Sequence, residues 1–126
     1  MIDSIHERRV IIVDNNESLS MDLANILTEQ NFVVNIATNG MKALKLIEDI
    51  RYNIMLIDID IPSFSAIHLC DRFRTLFPAG IIILFCNEYE KISERNLFKA
   101  CSDYFLLKPF NYSELILLLR ESIFNG

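Results

Sequence analysis

Charged side chains stand at the ends of three short apolar runs, and their types suit phosphate or metal chemistry. Asp14 closes the run from Val10 to Val13, Asp58 closes the run from Ile54 to Ile57, and Lys108 follows Tyr104 to Leu107. Asp60 lies two residues beyond Asp58 and ahead of Pro62. A single aspartate after a strand is most often a turn residue or a helix cap, and a single lysine is most often a solvated charge. Their joint occurrence at three strand ends is a different matter. Clustered carboxylates repel one another and need a cation, either a bound Mg²⁺ or a lysine. A site of this kind suits a hard metal and a phosphoryl group. Zinc is a poor fit, because no histidine or cysteine cluster accompanies the acids.

The elements that must carry these residues follow from hydrophobic period. Residues 9–13, 32–36, 54–57, 81–85 and 104–107 read as five short strands. Between them, residues 18–30, 41–50, 66–77 and 92–100 have helical character, and a last helix runs from Ser113, as its cap, to Phe124. The helical spacing sets Leu19, Leu23, Ile26 and Leu27 on one face of the first helix, and Met41, Leu44, Ile47 and Ile50 on one face of the second. Strands alternating with helices predict a doubly wound α/β fold, with a five-stranded parallel sheet and five helices. Residues 1–126 read as one domain. In such sheets ligands bind beyond the carboxyl ends of the strands, where Asp14, Asp58 and Lys108 fall.

Composition narrows the class. The chain has 126 residues, 52 % of them apolar and 23 % charged, which is globular rather than disordered. A net charge of −5 with scattered arginines lacks the basic footprint of a nucleic-acid binder. No window approaches the roughly 18 apolar residues of a membrane span. Three cysteines, Cys70, Cys86 and Cys101, form neither a metal spacing nor a disulfide framework. A cytoplasmic setting is expected.

Three segments together resemble the receiver domain of two-component response regulators. Val10 to Asp14 is similar to that family's first strand and acidic turn. Leu56 to Pro62 resembles its phosphoacceptor strand and the proline after it, and Asp103 to Phe110 resembles its last strand with the lysine–proline pair. The resemblance implies strand order 2-1-3-4-5 and a cis Lys108–Pro109 bond. It implies that Asp58 accepts a phosphoryl group from a histidine kinase or phosphotransfer protein. Asp14 would support Mg²⁺ through water, Asp58 would ligate it, and the backbone carbonyl of Asp60 would complete the set. Lys108 would pair with the phosphoryl oxygens, and Phe105 would hold the place of a rotameric switch aromatic. A downstream effector would read the change, and a homodimer could form through the face of the fourth helix, fifth strand and fifth helix. Leu115 to Leu119 make that last helix oilier than one buried face requires. Such a domain is not an enzyme beyond autophosphorylation from small donors and slow autodephosphorylation.

The chain departs from the family pattern at defined positions. Asn15 replaces the second acid, a direct metal ligand, so Mg²⁺ binding should be weak. Cys86 takes the switch Thr/Ser position, and its S–H is a weak donor to a phosphoryl oxygen. Asn87 stands where a small residue is usual, and Ala66 where a glycine is. Two readings follow: a phosphorylatable receiver of lowered Mg²⁺ affinity, or a phosphorylation-independent pseudo-receiver acting as a protein-interaction module. A small phosphohydrolase is a third, disfavoured by the lack of a glycine-rich phosphate loop.

Overall fold

In the computed structural model, residues 8–87 and 102–125 are described. Five parallel strands, β1 (Arg8–Val13), β2 (Phe32–Ala37), β3 (Ile54–Asp58), β4 (Ile81–Cys86) and β5 (Tyr104–Leu107), form one sheet in the order β2-β1-β3-β4-β5. Among the described residues four helices connect and follow them: α1 (Glu17–Glu29), α2 (Gly40–Asp49), α3 (Ala66–Leu76) and α4 (Tyr112–Asn125). The helix expected at residues 92–100 lies outside the described residues. None of the described helices is long and apolar enough to cross a membrane.

Strand alternation sorts the core into two layers. Val10, Ile12, Ile54, Leu56, Ile83, Phe85 and Leu106 pack with Leu23 and Leu27 of α1 and Leu115 and Leu119 of α4. Ile11, Val13, Met55, Ile57, Ile82, Leu84 and Cys86 pack with Ala43 and Ile47 of α2 and Leu69, Cys70 and Phe73 of α3. β3 is buried along its whole length, as expected of a central parallel strand covered on both faces. The inward face of α2 is set by Gly40, Ala43 and Ile47, whereas Met41, about 100° round the helix from Gly40, is exposed. In α4, Leu115 and Leu119 are buried, Ile116 and Leu118 are partly covered, and Leu117 remains 60 % exposed.

Asparagines start three of the helices. Asn16 Oδ1 accepts from the Leu19 amide at 3.1 Å, and Asn39 Oδ1 from the Lys42 amide at 2.9 Å. At α4 the capping residue is Asn111 rather than Ser113. Its Oδ1 accepts from both the amide and the hydroxyl of Ser113, at 2.9 and 2.7 Å. An asparagine two residues upstream offers the better reach, because Ser113 already lies within the first turn.

The opposite end of the sheet is closed by an ionic clamp. Asp103 accepts from the Ile82 amide at 2.8 Å and from Arg74 Nη2 at 2.6 Å, and its own amide donates to the Ile82 carbonyl. Arg74 also donates to the carbonyls of Pro78 and Gly80, so the end of α3 is tied to the starts of β4 and β5. Asp103→Ala would strand the amide of the fully buried Ile82. It should cost about 1–3 kcal/mol of stability in urea unfolding, and Asp103→Asn, which keeps an acceptor, should cost less. Equal midpoints for wild type and Asp103→Ala would show that the clamp does not hold the strands.

Candidate functional site

Strand register brings the charged residues together. Val13 pairs with Ile57, Asp58 with Phe85, and Phe85 with Leu106, so Asp14 and Asp58 emerge side by side and Lys108 follows two residues farther on, where its long side chain still meets both. All three share the alternation phase of Val10, Leu56 and Leu106, and therefore leave the sheet on the face covered by α1 and α4. Lys108 Nζ donates to Asp14 Oδ2 at 2.5 Å and to Asp58 Oδ2 at 2.6 Å. Asp14 is fully buried and Asp58 is 4 % exposed. The Lys108 ammonium lies 5.9 Å above the centre of the Phe85 ring, and its amide donates to the Cys86 carbonyl at 2.7 Å. The Lys108–Pro109 bond is cis, as the resemblance implied.

The remaining carboxylate oxygens are also engaged. Asp14 Oδ1 accepts from the Asn16 amide at 2.9 Å, and Asp58 Oδ1 from the Asp60 amide at 2.7 Å. Each aspartate thus holds the turn that follows its own strand, the local turn for which this side chain is suited. Ser20 donates to the Asp14 carbonyl at 3.4 Å, joining α1 to the same turn.

Burial pushes the Lys108 ammonium down, but its hydrogen bonds to Asp14 and Asp58 and the charges of both outweigh this, and it titrates above the ordinary lysine value. Two carboxylates against one ammonium leave the site with about one net negative charge by side-chain inventory.

The other sequence-predicted residues fall less uniformly. Asn15 and Asp60 are exposed at the rim. Cys86 is buried in the opposite core layer with Leu84, and Phe105 packs half-buried against that same layer. Strand alternation therefore separates Cys86 and Phe105 from the face that carries Lys108. The sequence reading did not single out Asn16, which binds Asp14 and caps α1, although an Asp-x-Asn pattern before a helix signals both roles.

Among the described residues no three His, Cys, Asp or Glu side chains gather to hold a metal ion. The donor set at the pocket is nevertheless hard: two carboxylates, the Asn15 amide and backbone carbonyls. That set fits Mg²⁺, which uses one or two carboxylates and keeps several waters.

Removing Lys108 leaves two buried carboxylates facing one another. In metal-free buffer Lys108→Met should lose on the order of 2 kcal/mol at neutral pH. The folded value of Lys108 is raised, so its contribution is fully present below the ordinary value of 10.5 and disappears as pH rises through the folded value. The stability gap between wild type and Lys108→Met should therefore be flat from neutral pH to about pH 10 and close above it. A gap that widens in alkali would refute this bridge.

Comparison with known proteins agrees with the geometry. The family model of the response regulator receiver domain matches residues 10–120. The transcriptional regulatory protein ResD of Bacillus subtilis is 25 % identical over 119 residues, covering 94 % of this chain and 49 % of ResD. The sensory transduction protein RegX3 of Mycobacterium tuberculosis is 28 % identical over 117 residues, covering 93 % of this chain and 51 % of RegX3. The chain thus spans about half the length of these curated relatives. Among solved structures, the response regulator TrrA of Thermotoga maritima, in complex with Mg²⁺ and BeF, superposes with a TM-score of 0.80 at 25 % identity, covering 91 % of this chain and 98 % of that one. A CheY-like receiver domain protein of Methanospirillum hungatei gives 0.83 at 24 %, with 94 % and 98 % covered. With its strand order, its buried carboxylate pair and a family match along most of its length, this chain belongs to the response regulator receiver domains of two-component systems.

Proposed function

We propose that this chain accepts a phosphoryl group on Asp58 from a phosphohistidine of a partner kinase or phosphotransfer protein, and passes the change to an effector. The observation that supports this most directly is Lys108 Nζ within 2.6 Å of Asp58 Oδ2. In the step, a carboxylate oxygen of Asp58 attacks phosphorus, the P–N bond of the donor breaks, and the leaving imidazole keeps the electron pair and takes up a proton. Asp58 Oδ2 is the oxygen that faces the ammonium, so Lys108 is placed to exchange that oxygen for a phosphoryl oxygen as the new bond forms. The Asp60 amide continues to hold Oδ1 and fixes the carboxylate plane. Asp14 keeps Lys108 in the pocket while its Asp58 contact is exchanged.

Mg²⁺, when bound, would neutralise charge on the transferring group. Asp14, Asp58, the Asp60 carbonyl and the Asn15 amide would hold it. An amide in place of a second rim acid brings no charge, so affinity falls below that of a site with three carboxylates.

Cys86 and Phe105 lie together in the opposite core layer, which suits them to read-out rather than chemistry. The exposed Leu117 on α4 supports a partner or homodimer contact through the face of β5 and α4. Sedimentation that stays monomeric at high concentration, for phosphorylated and unphosphorylated protein alike, would remove the homodimer.

The neutral, exposed Asn15 favours the second reading, an interaction module that works without phosphorylation. Labelling by a small phosphodonor against Mg²⁺ concentration separates the two. Asn15→Asp should tighten Mg²⁺ binding and speed labelling, because it adds a charged hard ligand at nearly constant volume. Asp58→Asn should abolish labelling in either background. Cys86→Thr should leave labelling nearly unchanged and strengthen any phosphorylation-dependent change of shape. If wild type and Asn15→Asp both stay unlabelled at saturating Mg²⁺ with an active donor, the interaction-module reading replaces this one.

A further inference from the structure

The segment between Asp58 and α3, residues 59–65, carries Asp60 and is pinned at both ends. At its start, the Ile59 amide donates to the Phe85 carbonyl at 2.9 Å and the Asp60 amide to Asp58 Oδ1. At its far end it is seated on the first turn of α2, a helix that contributes no residue to the acidic pocket. The Gly40 amide donates to the Pro62 carbonyl at 2.9 Å, and the Met41 amide to Ser63 Oγ at 3.1 Å. Ser63 Oγ in turn donates to Asn39 Oδ1 at 3.1 Å, the same oxygen that accepts from the Lys42 amide. Three successive amides at a helix start, which no intrahelical carbonyl can satisfy, are thus occupied by this loop and by the residue that clasps it.

Two further features fit the seating. A Cβ at position 40 would lie 2.6 Å from Phe64 Cβ and 2.7 Å from the Phe64 carbonyl oxygen, so only glycine admits so close an approach. Ser63 adopts φ 74°, the left-handed region that a side chain rarely enters and that glycine would occupy freely. Nothing in the turn itself demands a serine there. The hydroxyl is what a glycine could not supply.

From this geometry we infer that Ser63 and Asn39 are positioning residues for the phosphoryl site: they lock the 59–65 loop to α2 and so hold the Asp60 carbonyl where a divalent cation can use it. The inference rests on the reading of that carbonyl as a metal ligand. Neither side chain touches the reacting atoms. Their effect passes through the backbone between Asp60 and Ser63, as supporting hydrogen bonds around a metal site commonly act through the ligands they orient.

The test is Mg²⁺ titration by calorimetry, with amide hydrogen exchange at Gly40 and Met41, for wild type, Ser63→Gly and Asn39→Ser. Ser63→Gly relieves the positive φ while removing the hydroxyl, so its thermal midpoint should hold or rise. Its Mg²⁺ affinity should nevertheless fall by roughly tenfold, and the Met41 amide should exchange faster. Asn39→Ser keeps a competent helix cap for Lys42 but is too short to reach Ser63, and should weaken Mg²⁺ binding in the same direction. At saturating Mg²⁺, labelling of Asp58 by acetyl phosphate should return to the wild-type rate in both, a separation between affinity and turnover that general destabilisation does not produce. Wild-type Mg²⁺ affinity in both variants, with or without faster exchange, overturns the inference. If wild type binds Mg²⁺ but takes no label, phosphoacceptance fails, and the clamp is still decided by the ratio of affinities.

Discussion

The ammonium of Lys108 lies between two buried carboxylates, and much of the structure answers to that arrangement. Asp14 and Asp58 leave adjacent strands on one face and are held too far from water to be solvated as free anions. Without a cation between them, the sheet could not keep both charged at so little exposure. The lysine comes from β5, the strand at the far side of β4, so the pocket closes only when the whole order from β1 to β5 is in place. The site is therefore both a chemical feature and a check on the topology. Its residual negative charge is what the proposed phosphoryl donor and divalent cation would meet.

The scaffold delivers these groups by repetitive means. Strand alternation sends Asp14, Asp58 and Lys108 to the face of α1 and α4, and sends Cys86 and Phe105 to the layer of α2 and α3. That division separates the groups suited to making and breaking a bond from the groups suited to transmitting the result. The turns after β1 and β3 repeat one device, an aspartate that accepts from an amide two residues on. One oxygen of each acid serves the turn and the other serves the lysine. Rigidity of the carboxylates is thus obtained from backbone amides rather than from additional side chains.

The departures from the family pattern fall on different parts of this machinery. Asn15 is a neutral side chain at the exposed rim, so its consequence would fall on the affinity of the proposed metal. Cys86 lies inside the core layer of α2 and α3, so its consequence would fall on the proposed read-out. Neither side chain is a member of the Asp14–Lys108–Asp58 bridge. The chain thus keeps the buried bridge, while both neighbouring positions depart from the family pattern.

Much of this was legible in the residues themselves. Apolar runs of four, stopped by Asp14, Asp58 and Lys108, marked β1, β3 and β5, and at β3 the reason is that a parallel strand buried on both faces has no polar position to spare. Helical spacing identified α1 to α3 within a residue or two, since their buried faces are set by local period. The cap of α4 was misplaced, at Ser113 instead of Asn111, because both residues can cap and only the path of the chain chooses between them. The inward face of α2 likewise depended on which residues the rest of the fold covers, Gly40, Ala43 and Ile47, which left Met41 exposed. Spacing along the chain could mark Asp14, Asp58 and Lys108 as candidates but could not show one ammonium touching both acids, a contact spanning 94 residues to Asp14 and 50 to Asp58. Strand register decided that. It also decided that Cys86 faces away from the lysine, and that Ser63 and Asn39, each legible only as a loop or turn residue, meet across 24 residues beside Asp58. Local period follows from each segment's own side chains, whereas such meetings exist only once distant segments pack.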